Sequence, residues 1–148
     1  MSVRISARVL RTRWLVRAPL WVFRARLGFL LGGRLLMLEH RGRKSGEWRQ
    51  VVLEVVAHPT ATRYVVVAGF GERAQWLRNV RADPRVRVSA GTRHRRSGRA
   101  VELERSEADA VLATYSVEHP AAWRQLSDTM AHGLGTDLAT LPVVALDL

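Results

Sequence analysis

Two aliphatic runs separated by a basic, glycine-bounded turn limit this chain's fold more than any other feature. Arg34–His40 reads RLLMLEH and Trp48–Val56 reads WRQVVLEVV, with Gly42-Arg43-Lys44-Ser45-Gly46 between them. Glycine at either end of the turn allows positive φ, so the two runs can fold back as neighbouring strands. Arg41, Arg43 and Lys44 and the Ser45 hydroxyl project from the turn, and Arg49 stands just beyond it. Clustered cations, a hydroxyl and exposed amides form a cradle for a phosphate or carboxylate. The plainer reading of the same residues is a solvated hairpin tip, basic because the whole protein is basic.

Composition bears on that choice. The formal charge is +11, and of 24 cationic residues only Lys44 is lysine, leaving 23 arginines. Such a bias reflects coding preference as readily as phosphate recognition. A lone lysine in the turn is more telling, since a compact ammonium does not do the work of a planar fork. A basic surface attracts nucleic acid, anionic lipid or an acidic small ligand, and charge alone does not choose among them. At 148 residues and 47% apolar, the chain is long enough for one globular domain with a real core. It has no cysteine, which excludes disulfides, thiolate metal sites and a cysteine nucleophile.

Ahead of the hairpin, residues 1–33 read as a basic amphipathic helical segment, and 34–148 as the main domain. Leu20–Leu31 is too short and too charged to span a bilayer, and it lacks a signal peptide's uncharged core. It suits either packing against the barrel or a second subunit, or peripheral contact of residues 2–31 with an anionic membrane face. The localisation this implies is cytoplasmic, peripheral to the inner face if the contact exists.

After the hairpin, Trp48–Ala57 reads as the second strand and His58–Thr62 as a turn. Arg63–Ala68 (RYVVVA) is a third strand, ending in Gly69-Phe70-Gly71. Glu72–Ala82 has helical composition and stops at Asp83-Pro84. Trp76, Asn79 and Val80 share one face of that helix. Trp76 is then either its core anchor or one half of a grip on a planar ring. Arg85–Ser89 alternates as a strand with one wet face. Arg93–Glu104 is another strand, with a bulge expected at Ser97-Gly98. Ser106–Tyr115 reads as a helix capped by Ser106, with Asp109 in the capping-box position. Ala121–Ala131 follows as a second helix, and Pro142–Leu148 as a closing strand. His58 and His94 have no partners at ligand spacing, so no metal site is assigned. Sequential strands joined by short turns predict an α+β fold, an antiparallel sheet of about six strands curled into a barrel with helices at its ends.

Three segments in this order resemble the deazaflavin-dependent nitroreductase family. They are the strand–GRKSG–strand opening (Leu35–Val52), YVVVAGFGERAQWLRNVRADPRVRV (Tyr64–Val88) and the terminal PVVALDL. The family comprises split-β-barrel oxidoreductases of the FMN-binding split-barrel type, and the resemblance covers Arg34–Leu148. It implies coenzyme F(420), a deazaflavin with a phosphate and an oligoglutamate tail, used to pass a hydride to an electron-poor acceptor such as a quinone, nitroaromatic or enone. It implies that Arg43, Lys44, Ser45 and Arg49 hold the phosphate and tail, and that Ala68, Gly69, Trp76 and Asn79 border the ring. Split barrels of this kind are often homodimers. Two positions depart from the family's pattern: Phe70–Arg73 is compact, and Leu77 stands where an aromatic often follows the tryptophan. No catalytic side chain is carried over, and neither Tyr64 nor Tyr115 is placed as a proton donor. A hydride carrier brings its own reactivity, so the missing triad, carboxylate pair and metal cluster fit such a protein.

Two other classes compete. One is the same barrel around FMN or haem, since the cradle suits a flavin phosphate equally. The other is a non-enzymatic basic module for nucleic acid or membrane. Nucleic-acid modules carry aromatics among the cations on their strands. Here the strands are mostly aliphatic, so no nucleic-acid partner is expected.

Overall fold

A computed structural model describes residues 34–69, 71–124, 127 and 141–148. The expected N-terminal segment 1–33 and its membrane contact, together with Phe70, Gly133, Gly135 and most of the distal half of the helix expected over 121–131, lie outside the described residues.

Six antiparallel strands close into a barrel. They are β1 (Leu35–Arg41), β2 (Trp48–Thr60), β3 (Arg63–Val67), β4 (Arg85–Ala90), β5 (Arg93–Glu102) and β6 (Val143–Asp147), in the spatial order β1-β2-β3-β6-β5-β4. Tight turns set β1 against β2, β2 against β3 and β4 against β5, and closure comes from β1 meeting β4. Helix α1 (Gln75–Ala82) connects β3 to β4, and α2 (Arg105–Glu118) follows β5.

Two cores result from the period-two alternation of the strands. Leu36 and Leu38, Tyr64 and Val66, Val86 and Val88, and Val144 and Leu146 fill the barrel interior. Trp76, Leu77 and Val80 of α1 join this cluster, so the helix plugs one end of the barrel. Val65, Val67, Val143 and Ala145, on the opposite face of the same strands, pack with Ala108, Leu112 and Tyr115 of α2. β3 and β6 are therefore apolar on both faces, one inside the barrel and one under the helix. On the outer side of β1, the buried Glu39 pairs with Arg87 at 2.8 Å and Arg95 at 3.0 Å.

Four sequence expectations need correction. β2 does not stop at Ala57 but runs to Thr60, with register shifts after Val55 and after Ala57. Those irregularities release Pro59 from the ladder bond it cannot make. His58 stacks on Tyr64 at 4.0 Å, and its Nδ1–H donates to the Arg63 carbonyl at 2.8 Å, which extends the hairpin. Second, α1 begins at Gln75, because a 3-10 turn occupies Gly71–Arg73. Gly71 has φ +62, a conformation that breaks a helix. Glu72 therefore serves no helix start. It pairs with Arg81, which also reaches Glu102 at 2.7 Å and ties α1 to β5.

Third, the bulge in β5 lies at Arg95, not at Ser97-Gly98. Val88 pairs with Arg96 and Ala90 with Arg93, so β5 carries one extra residue there, and Arg95 has φ 50. Ser97 and Gly98 stay in regular register with Arg87 and Val86. Fourth, α2 begins at Arg105 with Glu104 at the N-cap, and no side chain caps it. Ser106 lies inside the helix, and Asp109 bonds Arg105 one turn back at 2.8 Å.

Candidate functional site

The β1–β2 turn and α1 meet at the same end of the barrel. The turn is closed by two backbone bonds, Gly42 N–H to Glu47 O and Gly46 N–H to Gly42 O, both 2.8 Å. Gly46 has φ +72, which a side chain would strain. Gly42 is needed for space instead. A Cβ there would stand 2.7 Å from Ser45 Oγ and 3.1 Å from Arg49 Nε. The missing side chain thus lets the hydroxyl and the guanidinium close in over the turn. The Ser45 hydroxyl accepts from Glu47 N–H at 3.2 Å, which keeps it at the rim.

Between turn and helix lies a cleft of about 250 Å³, lined by Gly42, Arg43, Lys44, Ser45, Arg49, Gln75 and Asn79. Arg43, Lys44, Ser45 and Arg49 are exposed. No ion pair to Lys44 or Arg49 occurs among the described residues. Arg43 is differently placed. Its backbone N–H and its Nη1 both donate to Asn79 Oδ1, at 3.2 and 2.8 Å, and its Nη2 donates to Gln75 Oε1 at 2.9 Å. The α1 amides thus hold the guanidinium across the cleft with three of its five N–H groups left over.

Asn79 is itself braced. It is buried, and its Nδ2 donates to Nδ1 of the buried His40 at 3.0 Å. Burial first, and the nearby Arg49 charge second, pull the His40 imidazole down to about 4. Its neutral ring can then accept at Nδ1. Because the folded state resists protonation of His40 while the unfolded chain takes a proton near 6.5, stability falls as pH drops from about 6.5 to about 4. Thermal unfolding of the wild type and His40→Asn over this range is expected to show the wild type losing more stability, with the difference constant above about pH 7.

Five of the eight residues singled out from the sequence come together here: Arg43, Lys44, Ser45, Arg49 and Asn79. Ala68 and Trp76 do not line the cleft. They are buried in the barrel core, and Ala68 N–H bonds the Pro142 carbonyl at 2.9 Å. Gly69 is half-buried, with nothing among the described residues within 4 Å of where a Cβ would stand. Two residues of the site escaped the sequence reading. Gln75 lies one turn before Asn79, so i,i+4 spacing already put it on the same face. His40 follows Leu36 and Leu38 in the inward phase of β1, which marks it as interior at the barrel's mouth.

Tyr115 and Tyr64 sit elsewhere. The Tyr115 hydroxyl donates to Glu54 Oε1 at 2.5 Å in a second cavity of about 230 Å³ between β2 and α2. Burial and that carboxylate push its phenol well above the usual range. The Tyr64 hydroxyl accepts from Arg93 at 3.2 Å. Among the described residues no cluster of three or more His, Cys, Asp or Glu could hold a metal ion. No described helix is long and apolar enough to cross a membrane.

A closed antiparallel six-stranded barrel, plugged by a helix and bearing a cation-lined cleft at that end, is the split barrel of flavin- and deazaflavin-binding proteins. Known structures agree. The chain is 26% identical to an F(420)-H(2) dependent reductase (FDR-A), with 77% of this chain and 94% of that chain covered at a TM-score of 0.55. A domain-swapped dimer is likewise 26% identical, covering 77% and 80% at 0.55. The haem storage protein HutZ from Vibrio cholerae shares the fold alone, at 16% identity, 80% and 84% coverage and a TM-score of 0.54. No curated protein matches the chain.

The family model for F(420)H(2)-dependent quinone reductase matches residues 16–146, and the chain belongs to that family. It is a deazaflavin-dependent oxidoreductase, and its cofactor is coenzyme F(420). The cleft fits such a group: Gly42 leaves room that a Cβ would fill, and Lys44 and Arg49 face it without carboxylate partners among the described residues.

Proposed function

We propose that the cleft between the β1–β2 turn and α1 receives the phosphate and acidic tail of F(420), and that the acceptor is an electron-poor small molecule such as a quinone, nitroaromatic or enone. The bound cofactor supplies a hydride. The observation that carries the reading is the placement of Lys44 and Arg49 around the Gly42 cradle, opposite a guanidinium already fixed by two amides. Lys44 and Arg49 take the anionic groups, Ser45 adds a hydroxyl at the rim, and Arg43 offers its remaining N–H donors. Charge-assisted bonds of this kind would orient the cofactor's anionic end. Ala68 and Gly69, just after β3, and Trp76 and Asn79 on α1 would border its ring.

The acceptor reading rests on the family, whose model is that of F(420)H(2)-dependent quinone reductase, a quinone being an electron-poor hydride acceptor. A second copy of the chain as partner is supported by the domain-swapped dimer among its structural relatives.

Fluorescence-quench titration of the five tryptophans with F(420) and FMN in parallel tests the cofactor site. Saturable binding of F(420), weakened by salt as an exposed ionic contact must be, is the expected result. A preference for FMN would overturn it.

A further inference from the structure

We infer that His40 is a positioning residue that aims Arg43 into the cleft by fixing which way the Asn79 amide faces; the inference rests on the reading of this cleft as the site of the cofactor's anionic end. The geometry is a relay of three side chains. His40 Nδ1 lies 3.0 Å from Asn79 Nδ2, and Asn79 Oδ1 lies 2.8 Å from Arg43 Nη1 and 3.2 Å from Arg43 N. An amide has one accepting end and one donating end. Arg43 presents only donors, so the oxygen must face it and the NH₂ group must face His40. A ring with a bare Nδ1 satisfies that NH₂ group. A ring bearing a proton at Nδ1 would oppose donor to donor and favour turning the amide over, which would set its NH₂ against the donors of Arg43.

Burial makes the relay rigid. His40 is 3% exposed and Asn79 is 2% exposed, whereas Arg43 and Gln75 are exposed. Gln75 alone, a long side chain in solvent, leaves the guanidinium free to swing. His40 is set in turn by β1, in register with Arg49 on one side and Val86 on the other. An arginine ordered before the ligand arrives loses less side-chain freedom on binding. His40 therefore acts on affinity without touching the ligand.

The test compares His40→Phe, which removes the acceptor, with His40→Asn, which restores an oxygen near the Nδ1 position. F(420) binding to the full chain is expected to weaken about tenfold in His40→Phe and to stay within about twofold in His40→Asn. In an Arg43→Leu background the Phe substitution should have no further effect. Equal losses in the two His40 variants, or an undiminished loss in the Arg43→Leu background, would mean packing alone and overturn the inference. A cofactor-free readout separates this from failure of the binding reading. ¹⁵N relaxation of the Arg43 guanidinium should show it rigid in unliganded wild type and His40→Asn, and mobile in His40→Phe. A guanidinium mobile in wild type, or still rigid in His40→Phe, overturns the relay even where F(420) binds. A rigid guanidinium loosened by Phe upholds it even where F(420) does not bind, and then the cofactor reading falls instead. If His40→Phe does not fold, the ¹⁵N shifts of the wild-type imidazole decide. A neutral ring protonated at Nε2 supports the relay, and protonation at Nδ1 refutes it.

Discussion

A Lys44→Ala/Arg49→Ala variant is expected to bind F(420) roughly 100-fold more weakly than the wild type, or worse, with its fold unchanged. Each substitution removes a charge-assisted contact of about 1.5–3 kcal/mol. Their sum exceeds the 100-fold loss, but neighbouring cations around one anion are not additive, so the lower end is expected. Neither residue supports the fold. Both side chains are exposed, and neither makes an ion pair among the described residues. Thermal unfolding should therefore move by no more than about 0.5 kcal/mol, as for other surface substitutions. Tryptophan quenching at two ionic strengths reads the affinity. The gap between wild type and variant should narrow at high salt. Unchanged affinity in the variant would take the anionic end of the cofactor out of this cleft.

Gly98→Ala should act the other way, on stability and not on binding. Gly98 lies on β5 opposite Val86, whose side chain points into the barrel. A Cβ at Gly98 would stand 2.6 Å from the Asp147 carbonyl oxygen and 2.7 Å from Leu148 Cδ2. Leu148 packs against the barrel core, and its N–H bonds Thr62 O at 2.8 Å, so residue 148 is held to the β2–β3 turn. The leucine tip could turn aside, but the carbonyl is backbone and the end of β6 would have to shift. Overpacking of this kind costs about 1–3 kcal/mol. In a chain of this size the midpoint should drop by roughly 3–10 °C. Cofactor affinity well below the midpoint should be unchanged, because Gly98 does not line the cleft. A midpoint equal to the wild type would mean that the chain end yields freely.

The sequence reading of the strands succeeded where one residue type settled the matter. β-branched and aliphatic runs between glycine turns gave six strands to within a few residues, because such side chains fit a pleated surface whatever its neighbours. It failed where two local preferences competed. Pro59 and His58 read as a turn, yet β2 continues through them, because register shifts spare the proline and the His58 ring stacks on Tyr64. Ser106 read as a cap by composition, yet α2 begins one residue earlier without a side-chain cap. Ser97-Gly98 read as a bulge because a glycine in a strand suggests one. The bulge sits at Arg95, and Gly98 is there for space.

The cradle divides in the same way. Spacing along the chain determined the hairpin, its glycine-bounded turn and the cations it carries, since those features lie within fifteen residues of one another. It also placed Gln75, Trp76 and Asn79 on one helix. Only the tertiary structure decided how these parts meet. Barrel closure of β1 on β4 carries α1 to the mouth of the hairpin, so that Asn79 reaches Arg43 from 36 residues away and His40 from 39. It turned Trp76 into the barrel core and left Asn79 at the cleft, although both belong to one helix face in the sequence. A helix face is wide enough to border a core and a cavity at once, and only the surface packed against it determines which residue lies on which side.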